Sequence, residues 1–425
     1  MLEIQRLRTQ KDWVIERLTT RNLPDVAETV EKIIQQDDQR KQSITSLESV
    51  RREMNHVSKS IGKLMKEGRK DDAEAAKEQA TSMRAEIKSL EQAVQQIEQD
   101  LHDLLITLPN IPHESVPIGK DEKDNIVAFQ NDLEVTFDFE ALPHWELATR
   151  HNMIDWELGV KLTGSGFPVY IGKGAILQRA LITYFLDQAY EAGYTEIQPP
   201  LMVNEASGYA TGQLPDKEGQ MYYMEKDDFY LIPTAEVPIT NLYRDIILNQ
   251  ADLPIKNCGY TPCFRREAGS YGKDVKGLNR LHQFDKVEIV QIVHPDQSYE
   301  VLEEMADHVA GLLESLKLPY RKLILCTGDA TFTSAKTYDM EVYSAGQGMW
   351  LEVSSVSNFE TFQTNRLKLR YRDENKKTHL AHSLNGSALA LPRIVAALLE
   401  NNQQKDGSIV IPEVLRHYTG FEQIG

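Results

Sequence analysis

The residues with the most chemistry to offer lie between Cys263 and Val293. They read Phe264-Arg265-Arg266-Glu267, then a polar, glycine-rich stretch to Leu278, then Arg280-Leu281-His282-Gln283-Phe284-Asp285-Lys286-Val287-Glu288. The pattern predicts two strands joined by a long loop. Side chains alternate along a strand, so Arg265 and Glu267 would share one face, and Phe284 and Glu288 another. An arginine there can grip a phosphate through two parallel hydrogen bonds. A carboxylate two residues on can accept from an adenine amine, and a ring on the return strand can stack on a base. The same residues also fit a surface Arg–Glu pair over a core phenylalanine.

Other common chemistries are absent. Gly166 and Gly172-Lys173 have the wrong spacing for a phosphate loop, and Gly174 stands where Ser or Thr is required. No Gly-x-Gly-x-x-Gly follows a strand. The cysteines, Cys258, Cys263 and Cys326, are odd in number and never spaced as C-x-x-C, which suggests neither a disulfide framework nor a zinc cage. A reducing cytosol fits. Met1-Leu2-Glu3-Ile4 begins no signal peptide, and no apolar run is long enough to span a membrane.

Two kinds of element must position these residues. Beyond a proline-marked break at Pro109 and Pro112, strand-like runs (195–198, 229–232, 287–293, 323–325, 340–343, 349–353) mix with helical ones (175–190, 234–248, 298–316, 388–400). The strands cluster without regular β-α-β alternation, which predicts an α+β fold with a largely antiparallel sheet. Before the break, residues 25–108 contain no proline and only Gly62 and Gly68. Ala76, Ala80, Met83, Ile87, Leu90, Val94, Ile97, Leu101 and Leu104 form a continuous heptad seam. Val26, Val30, Ile33, Ile44, Leu47, Met54, Ile61 and Met65 keep the same beat upstream, broken by Asp37, Arg40, Arg51 and Ser58. With a turn at Gly68, the pattern predicts a long antiparallel two-helix coiled coil over about 26–108, roughly 50–60 Å long.

The 425-residue chain carries 47 Lys+Arg against 64 Asp+Glu, a net charge of −17, so its surface as a whole does not suit a polyanion. The arm is an exception: residues 39–90 hold twelve basic against eight acidic residues. Arg51, Arg52, Lys59, Lys63, Lys66, Arg69 and Lys70 crowd toward its tip. A solvated coiled-coil surface and a polyanion-binding arm both fit this pattern, and the contrast with the acidic remainder favours the arm.

Phe264-Arg265-Arg266-Glu267-Ala268-Gly269 with His282-Gln283-Phe284-Asp285-Lys286-Val287-Glu288 resembles motif 2 of the class II aminoacyl-tRNA synthetases, in the wording of the seryl-tRNA synthetase family. Gly386-Ser387-Ala388-Leu389-Ala390-Leu391-Pro392-Arg393 resembles motif 3. Thr183 to Pro200 resembles motif 1, Thr234-Ala235-Glu236 the family's serine-binding loop, and Glu352-Val353-Ser354-Ser355 its late ATP and metal segment. The resemblance covers nearly the whole chain in order. It implies a tRNA-binding helical arm over 1–112 and a class II synthetase-type antiparallel-sheet catalytic domain over 113–425.

The resemblance also implies roles. Arg265, Glu267 and Arg393 would be catalytic. ATP would meet Arg265, Arg266, Glu267, Leu281, Phe284, Glu352, Val353, Ser354, Ser355 and Arg393, with Mg²⁺ on Glu352 and Ser355. Serine would meet Thr234, Ala235, Glu236, Glu288 and Ser387; by itself Ser387 also reads as the N-cap of a helix opening at Ala388. Arg51, Arg52, Lys59, Lys63, Arg69 and Lys70 would touch tRNA(Ser), and tRNA(Sec) where one exists. A cytoplasmic homodimer joined through motif 1 (Pro199 and Pro200) is implied, with no membrane partner and no zinc. The expected activity is serine–tRNA ligase: serine and ATP give seryl-adenylate, and the seryl group passes to the terminal ribose of tRNA. A synthetase-like protein charging a carrier protein lacks the long arm. A non-catalytic RNA- or partner-binding paralogue would lack Arg265, Glu267, Glu288, Glu352 or Arg393, all of which are present. The segment 214–220 is more polar than the family pattern leads one to expect.

Overall fold

The computed structural model describes residues 1–267 and 276–425. Ala268 and Gly269 of the motif 2 wording lie outside the described residues. The chain divides into two units, Met1–Pro109 and Asn110–Gly425.

The first unit holds two short helices, α1 (Ile4–Thr9) and α2 (Lys11–Thr19), and two long ones, α3 (Val26–Lys66) and α4 (Lys70–Leu105). Gly68 has φ +77°, a left-handed conformation that suits glycine, and it turns the chain between α3 and α4. The 41 residues of α3 span roughly 60 Å at 1.5 Å per residue. The α4 seam holds as predicted until Leu101, after which Leu105 is buried in place of Leu104. Along α3 the inward beat slips after Leu47. Val57 is buried against Ala80 and Met83, while Met65, predicted inward, is 53% exposed. Two steps of three in succession (44, 47, 50) shift the helix face by one position. Asp37 breaks the apolar pattern yet is buried, because Arg8 of α1, Arg40 and Lys41 all bond its carboxylate.

The second unit is built on an eight-stranded sheet. Its strands are β1 (Ile126–Gln130), β2 (Thr195–Glu196), β3 (Ile255–Phe264), β4 (Gln283–Val293), β5 (Tyr320–Ile324), β6 (Lys336–Ser344), β7 (Met349–Asn358) and β8 (His382–Ala390). The spatial order is β1-β5-β6-β7-β8-β4-β3-β2. All neighbours pair antiparallel except β2 with β3. Helices that supply residues to the core or the site include α5 (His144–Arg150), α6 (Lys173–Glu191), α7 (Glu236–Asn241), α8 (Ser298–Ser315) and α9 (Leu391–Asn401). Leu181 and Phe185 of α6, Leu302 and Met305 of α8 and Leu398 of α9 share the main core with Val287 and Ile289 of β4. Alternation then sends Lys286 and Glu288 of β4 to the other face, while Phe284, near the start of the strand, keeps contact with the main core.

In the second unit, three further sequence expectations are corrected. The helix predicted over 234–248 stops at Asn241; Asp245 adopts φ +61° with its amide on the Leu367 carbonyl, and Ile247–Asn249 forms a strand instead. The helix predicted from Ala388 starts at Leu391, just before Pro392; Ser387 and Ala388 belong to β8, so Ser387 is not an N-cap. β3 ends at Phe264, so Arg265 and Glu267 are not alternating strand residues, and Glu267 itself has φ +48°.

Candidate active site

The face of the sheet opposite the main core gathers most of the predicted residues. At its buried end, the register of β4 on β8 sets Glu288 against Ser387, and the Ser387 hydroxyl lies 3.5 Å from Glu288 Oε2. Lys286, two residues before Glu288 on the same strand face, is nearly buried. Its ammonium lies 2.5 Å from Glu288 Oε2 and donates to Thr234 Oγ1 at 2.8 Å. Thr234 and Ala235 lead into α7, whose first residue, Glu236, is also buried. The Glu236 amide donates to Thr234 Oγ1 at 3.2 Å. Its carboxylate accepts from Gln363 at 2.6 Å and from Asn385. Burial, then the charge of Glu288, pushes the Glu236 carboxyl up to about 7, against the opposing pull of Gln363 and Lys286.

This pocket holds two carboxylates and one ammonium. With both acids ionised it keeps one unbalanced negative charge in a buried setting, which suits a small ligand bearing an ammonium and a hydroxyl. The sequence reading missed Lys286, Gln363 and Asn385. Only Lys286 carried a signal: it alternates with Phe284 and Glu288 on the strand face already singled out.

Toward the strand ends the charge reverses. The Arg265 backbone amide bonds the His282 carbonyl at 2.9 Å, holding the two limbs of the loop together. The Arg265 guanidinium lies 5.3 Å over the Phe284 ring, with Nε on the Pro233 carbonyl at 3.3 Å. Glu267 accepts from Arg280 at 3.0 Å. Arg393, in the first turn of α9, donates from Nε to the Asn279 carbonyl at 3.2 Å and from Nη1 to the Glu352 carbonyl at 2.6 Å. Burial lowers the pKa of Arg393 from its usual value, opposed by Glu352 and reinforced by Arg280 and Arg265. Three guanidiniums thus stand near two carboxylates, an arrangement able to hold a polyphosphate. Arg280 was quoted in the sequence motif without a role.

Arg266 turns elsewhere: its Nε donates to the Met221 carbonyl at 2.9 Å and its guanidinium covers Tyr222 at 4.8 Å. The polar segment before it is folded on itself, with the Asp216 carboxylate accepting the amides of Gln220 at 2.9 Å and Met221 at 2.8 Å. The Leu281 side chain is buried. Beside it, His282 stacks on Phe167 at 5.3 Å and shares a hydrogen bond with Tyr222 at 3.1 Å.

On β7, Glu352 and Ser355 lie near Asp339 of β6, which is Ser355's register partner. The Ser355 hydroxyl donates to the Asp339 carboxylate, and Asp339 Oδ1 is buried without a partner among the described residues. Burial and the nearby Glu352 raise the Asp339 carboxyl well above its ordinary range. Ser354 donates to the Ser387 carbonyl at 2.5 Å and so ties β7 to the buried pocket. Val353 turns its side chain into the core, leaving only its backbone for a ligand.

The arm residues lie in the first unit and are exposed: Arg51, Arg52, Lys59, Lys63, Arg69 and Lys70. Arg51 pairs across to Glu91 at 2.6 Å, Arg52 with Glu48 at 3.5 Å and Arg69 with Asp72 at 2.7 Å. Such exposed pairs are weak and are readily exchanged for other anions.

Residues 1–112 match the family model of the seryl-tRNA synthetase N-terminal domain. Residues 221–402 match that of the tRNA synthetase class II core domain (G, H, P, S and T). The chain is 54% identical to a serine–tRNA ligase of Salinibacter ruber, covering 100% of this chain and 99% of that protein. Its structure is similar to that of seryl-tRNA synthetase from Pyrococcus horikoshii complexed with ATP, with a TM-score of 0.92, 34% identity, and coverage of 100% of this chain and 99% of that one. It is also similar to the cytoplasmic serine–tRNA ligase of Naegleria fowleri in complex with AMP, with a TM-score of 0.86 and 27% identity, covering 100% of this chain and 98% of that one. Two domain matches in the right order, together with full-length relatives, mean that the chain belongs to the seryl-tRNA synthetase family.

Proposed function

We propose that the buried acidic pocket holds serine and the arginine-lined rim holds ATP, so that one sheet face performs the activation step. The chain is an ATP-dependent serine–tRNA ligase; the residue roles are our reading. The observation that carries them is the change from a buried carboxylate–lysine pocket to a three-arginine rim along the same face.

In this reading Glu236 and Thr234, with the backbone at Ala235, meet the serine ammonium. Glu288 and Ser387 bond its hydroxyl, and Lys286 holds Glu288 and Thr234 in place. Alanine is rejected because it would leave those buried groups unpaired. Phe284 stacks on adenine, Glu267 accepts from its amine, and Leu281 and the backbone of Val353 and Ser354 line the nucleotide; Arg266, held on Met221 and Tyr222, would have to swing away from them to join. Arg265 holds the α-phosphate and Arg393 the far phosphates. The serine carboxylate attacks the α-phosphorus and pyrophosphate leaves with the bond pair. No covalent enzyme intermediate is required, so the protein contributes orientation and neutralisation of charge growing on the phosphoryl oxygens. A ribose hydroxyl of tRNA(Ser) then attacks the seryl carbonyl, and AMP leaves.

Glu352 and Ser355, beside Asp339 Oδ1, which has no partner among the described residues, form an all-oxygen set that fits a hard cation such as Mg²⁺. Bound there, Mg²⁺ would supply charge neutralisation at the phosphates. Residues 1–112 would act as the tRNA arm and 113–425 as the catalytic domain, in a homodimer joined through motif 1. β2 of that motif is an edge strand, and Val160, Leu162 and Tyr190 expose apolar surface. A cytoplasmic setting accords with this chemistry; no helix among the described residues is long and apolar enough to cross a membrane. Charging of tRNA(Sec) is part of the proposal where such a tRNA exists. The test is ATP–pyrophosphate exchange with serine, alanine, threonine and glycine. Exchange with serine alone is expected and should vanish in Arg265→Ala; near-normal exchange in that variant would remove Arg265 from the phosphate.

A further inference from the structure

At the foot of the arginine rim lies a buried network that touches no predicted ligand. His144 and Glu400 are both fully buried, at 0% exposure. Glu400 Oε1 accepts from the His144 backbone amide at 2.9 Å and from His144 Nδ1 at 2.7 Å. Glu400 Oε2 accepts from the Gly346 amide at 3.0 Å and from the Ser344 hydroxyl. The Gln347 side chain donates to Glu400 Oε1 at 3.1 Å. A buried carboxylate this well satisfied is rigid.

Two bonds lead out of the network to the returning limb of the ATP loop. The Leu278 amide donates to His144 Nε2 at 2.8 Å, and the Asn279 side chain donates to Gln347 Oε1 at 2.7 Å. Because Nε2 accepts from an N–H, the ring proton sits on Nδ1, facing Glu400. Gly277 fits against the same ring: it has φ +66°, and a Cβ there would collide with His144 Nε2. The carbonyl of Asn279 in turn orients Arg393, and Leu281 follows two residues later.

We propose that His144, Glu400 and Gln347 are positioning residues for ATP, fixing the Leu278–Leu281 limb and through it the Arg393 guanidinium. Glu400 lies on α9, the helix that also carries Arg393, so the carboxylate ties the limb and the arginine to one rigid element. The serine pocket shares none of these bonds. The inference rests on the placement of ATP at Arg265, Leu281 and Arg393.

The experiment measures KM for ATP and for serine in serine-dependent ATP–pyrophosphate exchange, using the full chain. His144→Ala should raise the KM for ATP about tenfold or more, with the KM for serine within about twofold. His144→Gln, whose amide oxygen can accept from Leu278, should recover most of that loss. Gln347→Ala sits at a partly exposed turn and leaves Glu400 its other donors; it should raise the ATP KM several-fold with an unchanged melting temperature, and it decides the matter if the His144 variants do not fold. An unmoved ATP KM in Gln347→Ala, equal rises for both substrates, or no recovery in His144→Gln would overturn the proposal. Arg393→Ala separates the premises: if that variant binds ATP normally, the ATP placement fails; if it does not, while Gln347→Ala is normal, only the positioning network fails.

Discussion

Lys286 and Glu236 show how single buried charges set this pocket's behaviour. Lys286 bonds Glu288 and Thr234 while nearly buried. Lys286→Met would leave Glu288 an unpaired buried acid, a change that costs about 3–5 kcal/mol of stability in comparable cases. The double variant Lys286→Met with Glu288→Gln should recover part of that in thermal or urea unfolding. No recovery would show that the lysine acts on stability by another route. Glu236 sets a pH dependence. Its carboxyl is held near 7 by burial and by Glu288, so in the empty pocket it keeps its proton below that pH. A serine ammonium is attracted to the ionised form. Serine affinity should therefore fall as pH drops through about 7, approaching tenfold per unit below it. Glu236→Gln should bind serine weakly with a flat profile. Calorimetric titration with serine at about pH 6 and about pH 8 reads this directly; a flat wild-type profile would show that Glu236 does not meet the ammonium.

At the scale of elements, the coiled-coil arm shows which features a pattern reveals. Its length, turn and α4 seam follow from spacing alone, because an amphipathic helix pair has one way to bury its stripe. Asp37 breaks that stripe in the sequence, yet it is a buried junction between α1 and α3. Burial disfavours its charge, but Lys41, Arg8 and Arg40 outweigh this and hold its carboxyl below the ordinary range. A depressed carboxylate contributes stability above its unfolded pKa and loses it as pH falls through the folded value. Asp37→Asn should thus cost about 1–2 kcal/mol near neutral pH, and the gap to wild type should close below about pH 4. Equal unfolding midpoints at neutral pH would place the junction's stability elsewhere. In the second unit, the motifs named Thr234, Glu236, Glu288 and Ser387 of the buried pocket but not Lys286, Gln363 or Asn385, and their backbones were less legible. Gly386 to Ala390 has the composition of a helix start and becomes β8, because pairing with β4 and β7 overrides local propensity. Glu267 takes a left-handed φ that nothing in its identity announces. Gln363, Asn385 and Asp339 reach the site through long-range strand pairing and packing, which no local spacing encodes. Arg280 stands in the motif, but its part in the rim follows from its contact with Glu267, which spacing does not encode.

For the whole molecule, the division of labour can be separated experimentally. The residues assigned to activation run from Thr234 to Arg393, all within the second unit, whereas Lys63, Lys66, Arg69 and Lys70 crown the hairpin of the first. Below the tip, Val57, Ala80 and Met83 pack with Val50, Met54, Ile61 and Ala76, so the stalk has its own apolar contacts. Joining Ile61 to Ala76 through a short glycine-rich link would remove the basic tip and keep that cluster. Such a variant should retain serine-dependent pyrophosphate exchange within about twofold, because orientation of serine and ATP depends on groups it does not alter. Charging of tRNA should collapse, because counterion release from phosphates supplies much of the affinity for a polyanion. A milder variant tests the electrostatic part: Arg69→Glu with Lys70→Glu keeps the helices but reverses two exposed charges. Its tRNA binding should weaken, and its salt dependence should flatten by about one unit of slope for each phosphate that the arm no longer neutralises. Equal loss of exchange and charging in the shortened chain would make the hairpin a folding element of the molecule. An unchanged salt slope in the charge-reversed chain would instead move the tRNA contact away from the tip, onto the flanks where Arg51, Arg52 and Lys59 lie.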